Sequence, residues 1–91
     1  MNKTYIYVKY EDSYNPRTFV GKAYSYYTSL KLSEGDIVEA PTRFGMSIAR
    51  VSKINVPEEM VKNIIPFMKE ITKKINKERY LNYDEILEEV A

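Results

Sequence analysis

The apolar residues of this chain change their spacing once. From Thr4 to about residue 55 they tend to alternate with polar ones, the period of a strand with one covered face. After Pro57 they recur about every 3.6 positions, the period of a helix. Strands first and helices after, without alternation of the two, restrict the fold to an α+β class. The expected architecture is a small antiparallel β-barrel or strongly curved sheet over about residues 3–55, followed by a C-terminal helical segment over about residues 57–90. A length of 91 residues leaves too few for a second core, so residues 1–91 are expected to form a single domain.

The run Thr4–Tyr10 is almost wholly β-branched and aromatic, and puts Ile6, Val8 and Tyr10 on one face with Tyr5, Tyr7 and Lys9 on the other. Glu11 to Arg17 collects turn formers, and Pro16 biases Asn15 away from helix. A second strand is predicted over about Phe19 to Thr28, with Val20, Tyr24 and Tyr26 on one face and Gly21 marking a bulge or a close backbone approach. Gly35 supplies the turn before a third strand, Ile37–Ala40, which Pro41 ends or places at an edge. Thr42-Arg43-Phe44-Gly45 then connects it, as a hairpin, to a fourth strand from Met46 to Ile54.

Beyond Pro57, Glu58 and Glu59 suit the positive end of a helix, and Met60, Val61, Ile64, Ile65, Met68, Ile71 and Ile75 form an apolar stripe. Pro66 either kinks one helix or separates two. Asn82 with Glu85 makes a capping box ahead of Ile86, Leu87 and Val90, which predicts a short final helix. The expected core is Ile6, Val8, Val20, Tyr26, Leu32, Ile37, Val38, Val51, Ile54, Ile64, Met68 and Ile71.

Cysteine and histidine are both absent, which removes thiolate and imidazole chemistry. The carboxylates fall in no spacing that would pair them for acid–base work, and Asp36 is explained as a turn residue beside Gly35. No enzymatic activity, metal or cofactor is therefore expected. No apolar run approaches the roughly 18 residues that a membrane span needs, and the N-terminus lacks an uninterrupted apolar region. A cytoplasmic location follows as an expectation. Net charge +1 argues against a surface that is basic throughout, but allows a local basic patch.

Of nine tyrosines, Tyr5, Tyr7, Tyr24, Tyr26 and Tyr27 lie on the first two predicted strands, so both faces of those strands carry rings. Such rings stack bases or anchor a protein interface; the plainer reading is that tyrosine suits a half-wet pleated surface. Basic candidates are Arg43 in the hairpin connection and Lys73, Lys74 and Lys77 in the run Lys69 to Arg79. That run either meets phosphates or is a solvated helix face carrying a Glu70–Lys74 pair. Residues 82–91 carry Asp84, Glu85, Glu88 and Glu89 with no basic residue, either a mimic of nucleic acid or ordinary surface.

The segment Lys22 to Ile54 reads Tyr24-x-Tyr26, then Leu32-x-x-Gly35-Asp36-x-Val38-x-x-Pro41, then Gly45, Ala49, Val51 and Ile54. It resembles the N-terminal DNA-binding domain of the primosomal helicase protein N′, a small β-barrel that holds the 3′ end of a single strand. The resemblance places Tyr26 on the family's tyrosine, and Gly35 and Pro41 on its turn and strand-end residues. Ser25 stands where the family has the aspartate that contacts the terminal nucleotide, so the chain departs from the pattern there.

Two readings of function remain. One is a non-catalytic barrel that engages single-stranded nucleic acid through Tyr5, Tyr7, Tyr24, Tyr26, Arg43, Lys73, Lys74 and Lys77. The other is a protein–protein module, such as a phage-type inhibitor docking on a host complex. The first leads, on the resemblance, the Tyr-rich strands and the Lys-rich run, while near-neutral charge, small size, Ser25 and a Lys, Ile, Asn and Tyr bias expected of an AT-rich genome add weight to the second. A homodimer is a third reading, because the apolar stripe is wider than one barrel covers. A basic groove flanked by tyrosine would point to nucleic acid, and a flat apolar patch with an acidic rim to a protein.

Overall fold

A computed structural model describes residues 3–76 and Tyr80. Within them the chain forms six strands: β1 Thr4–Tyr10, β2 Tyr24–Thr28, β3 Ile37–Thr42, β4 Gly45–Val56, β5 Glu70–Ile71 and β6 Lys73–Ile75. They make one sheet in the order β5-β2-β1-β4-β3-β6. The outermost strands, β5 and β6, are separated in sequence only by Thr72. One short segment therefore lies along both edges, parallel to β2 and antiparallel to β3, and brings the sheet to a nearly closed barrel.

Alternation decides which side chains fill it. Ile6 and Val8 of β1, Tyr26 of β2, Val38 and Ala40 of β3, and Ala49 and Val51 of β4 pack with Leu32 and Ile71 in one cluster. Ala40 and Ala49 are fully buried, and small residues at such points let the wall curve tightly. β4 is the long wall, paired with β1 on one side and β3 on the other. Its register against β1 shifts on either side of Tyr7, and Asn55 takes a positive φ of 52°, so the strand bends around the core. Pro41 lies within β3, beyond the last residue that β6 pairs, where its missing N–H costs no ladder bond on that side. Gly35 adopts φ 93° in the turn before β3, and Asp36 accepts the Ser33 N–H at 2.7 Å as a turn residue does.

Several expectations are corrected. The stretch after Pro57 is not a helix over its described part: it holds two single 3-10 turns, Glu58–Met60 and Ile65–Phe67, and then β5 and β6. Of the apolar stripe only Val61 and Ile71 are fully buried, so no continuous helical face is covered. Pro66 stands inside the second turn, where an α-helix would lose a hydrogen bond, and the extended chain beyond it satisfies the sheet edge instead. The Tyr27 N–H donates to the Lys69 carbonyl, and the Thr28 hydroxyl to the Ile71 carbonyl at 2.8 Å.

β2 begins at Tyr24 rather than Phe19, because Gly21 turns the chain at φ 88° and Phe19 makes only an isolated bridge with Glu11. Val20 is accordingly 55% exposed and Ile64 44%, and Met68 is half-buried, so these three leave the expected core. Glu70 and Lys74 do not pair with each other: Glu70 meets Lys3 at 3.7 Å and Lys74 meets Asp36 at 3.5 Å. The predicted final helix after Asn82, and Lys77, lie outside the described residues. Among the described residues no helix is long and apolar enough to cross a membrane.

An aromatic groove at one end of the barrel

β1 runs antiparallel to β2 and β4, so the end of β1, the start of β2 and the β3–β4 hairpin gather at one end of the barrel. The chain between β4 and β5 passes the same end. Together they enclose an open groove of about 700 Å³, lined by Tyr10, Tyr24 and Tyr26, by Arg43 and Phe44 of the hairpin, and by Ile64, Phe67, Met68 and Lys69. Ser25, Thr42 and Ser47 add hydroxyl-bearing residues.

The lining grades from structural to exposed. Tyr26 is 5% exposed and belongs to the core. Its hydroxyl donates to the Pro41 carbonyl at 2.8 Å and, having one proton, accepts from the Tyr10 hydroxyl beside it. Burial, and then the hydrogen bond with Tyr10, push the Tyr26 phenol well above the usual tyrosine range. Tyr24 packs against Tyr10 with ring centroids 4.7 Å apart and keeps its outer side open. Phe44 and Phe67 are 92% and 82% exposed, and solvation of two phenyl rings that nothing covers is unfavourable.

Phe44 is held out by the hairpin itself. The Thr42 hydroxyl donates to the Gly45 carbonyl at 2.7 Å and accepts the Phe44 N–H at 3.1 Å, while Gly45 takes φ 116°, a conformation that favours glycine. Among the described residues the ionised groups that line the groove are both basic, Arg43 and Lys69. The Arg43 guanidinium lies 5.7 Å from the Phe44 ring, and the Lys22 ammonium lies 6.0 Å from that of Tyr24. Among the described residues the lining holds no carboxylate, imidazole or thiol and offers ring faces, hydroxyls and two cations.

The residues singled out in the sequence divide. Tyr24, Tyr26 and Arg43 meet in the groove. Tyr5 and Tyr7 sit on the outer side of β1, half-buried, and the Tyr5 hydroxyl donates to Glu58 at 3.3 Å. Lys73 and Lys74 lie on β6 and are joined to Glu39 and Asp36, each at 3.5 Å. Tyr10, Phe44 and Phe67 line the groove without having been expected there, Ile64 and Met68 were expected in the core, and Lys69 belongs to the basic run considered for phosphates without being singled out. Phe44 left a readable signal, a large ring at a tight turn that has no interior to face; Phe67 was hidden in the presumed helix.

Among the described residues no group of carboxylates is placed to hold a metal ion. No protein-family model, curated protein or solved structure matches the chain.

Proposed function

We propose that this chain is a non-catalytic binding module that holds single-stranded nucleic acid in the aromatic groove. The observation that carries the reading is the combination of exposed rings, Tyr24, Phe44 and Phe67, around a concavity whose ionised lining residues, among the described residues, are the basic Arg43 and Lys69. Ring faces accept unstacked bases irrespective of sequence, and Arg43 and Lys69 supply the charge that a phosphate backbone seeks. A flat apolar patch with an acidic rim would instead point to a protein partner, and no acidic residue lines the groove among the described residues. The likeness of residues 22–54 to a single-strand-binding barrel supports the same reading.

The test is fluorescence anisotropy of a labelled oligonucleotide of about 12 nucleotides, titrated at about 50 and 200 mM salt, with Phe44→Ala and Phe67→Ala alongside. Both rings are exposed, so the variants keep the fold. Each loss is expected to weaken binding roughly 5- to 150-fold, from about 1–3 kcal/mol per stacked base. Absence of binding at the lower salt, or binding indifferent to both variants, overturns the reading and directs attention to a protein partner for Ile64, Phe67 and Met68.

A further inference from the structure

Outside the groove, one pair of charges stands in an unfavourable arrangement. Lys9 of β1 and Arg50 of β4 are cross-strand partners, placed directly opposite each other on the outer face of the barrel. Like charges in that relation repel. Ion pairs join Lys3 to Glu70, Lys73 to Glu39 and Lys74 to Asp36, and among the described residues no carboxylate pairs with Lys9 or Arg50. Lys53, partnered in register with Tyr7 on the same two strands, meets no carboxylate among the described residues either.

The pair also borders a concavity. Lys9, Phe19, Glu34, Arg50 and Ser52 line a pocket of about 370 Å³ against the Gly35 turn. Glu34 rims it without pairing with either cation. Lys9 directly precedes Tyr10, and successive side chains of a strand point to opposite faces. The pocket therefore lies on the outside of the same stretch of β1 whose inner side borders the groove.

We propose that Lys9 and Arg50 form a phosphate-binding site, which takes the backbone of a single strand as it leaves the groove and passes over the β1–β4 wall. The site rests on the nucleic-acid reading of the groove and extends it, by giving the strand a path and a minimum length. An anion between the two cations turns their repulsion into attraction, so the arrangement is favourable only when occupied. Glu34 opposes occupancy and sets an upper bound on affinity for isolated anions.

The experiment compares two labelled oligothymidylates, of about 4 and about 16 nucleotides, with the wild type, Lys9→Gln/Arg50→Gln and Phe44→Ala, across a salt series. The double variant is expected to bind the longer strand roughly tenfold more weakly at low salt and to lower its salt slope by about 2, while binding the shorter one as the wild type does. Phe44→Ala should weaken both. Glu34→Gln should tighten the longer strand alone. The thermal midpoint of the double variant should equal or exceed that of the wild type, which a structural role for the pair would not allow. Wild-type binding of both strands that the double variant leaves unchanged overturns the phosphate site and spares the groove. Failure of the wild type to bind either strand overturns both.

Discussion

The Tyr26 hydroxyl lies between the core and the groove, donating to the Pro41 carbonyl and accepting from Tyr10. Removing it leaves the ring in place but strands two polar groups. Tyr26→Phe is therefore expected to lose about 1–3 kcal/mol in urea unfolding, with an unchanged dependence on denaturant. The same hydroxyl predicts an alkaline limit. Burial first, and then Tyr10, raise its folded-state pKa above the unfolded value of about 10. Its contribution is fully present below about pH 10 and is lost as pH rises toward the folded-state value. Tyr80, raised by burial and then by its bond to Glu11, acts in the same direction. Circular dichroism at fixed urea should show stability falling above about pH 10, with a shallower fall in Tyr26→Phe. That Tyr26 faces inward was legible from alternation along β2. Its polar partners were not, because Pro41 reaches it through a separate strand, 15 residues further on.

At the scale of elements, β1 and the β3–β4 hairpin were readable because their causes are local: β-branched alternation, Gly35, Pro41 and a tight connection. β5 and β6 were not. Their residues share helical spacing with the stretch before them, and only the sheet edges, supplied by strands far earlier in the chain, select the extended form. Ile71 was expected in the core as part of a helix and is there as part of β5, fully buried. It plugs the barrel where the edges approach. Ile71→Ala should lower stability by about 2–5 kcal/mol, more than truncation of half-buried Ile75 on β6, as urea midpoints would show. Lys73 and Lys74, by contrast, hold exposed ion pairs of the kind worth about 0–1 kcal/mol. Lys73→Ala/Lys74→Ala should change both the urea midpoint and oligonucleotide affinity little; a large loss of affinity would move the binding surface to β6.

For the whole molecule, the barrel was legible and its closure was not, and the site follows the same division. Tyr24 and Arg43 could be chosen from the sequence because strand and hairpin signals place them. Phe67 and Lys69 reach the groove because the chain between β4 and β5 passes the open end in short 3-10 turns instead of one continuous α-helix. All four line the same groove, where a bound strand would meet several of them at once.

The segment that lies on both edges also sets an order of events in folding. The hydrogen bond from Thr28 to Ile71 spans 43 residues, and closing so long a loop yields contacts only after the intervening strands have formed. A chain still emerging during synthesis keeps the β2 and β3 edges unpaired until residue 75 arrives, and in that interval the same segment of a second copy could pair with them in its place. Exchange of the last strands between copies is therefore expected to rise with local concentration during synthesis, as size-exclusion chromatography after refolding at low and high protein concentration would show.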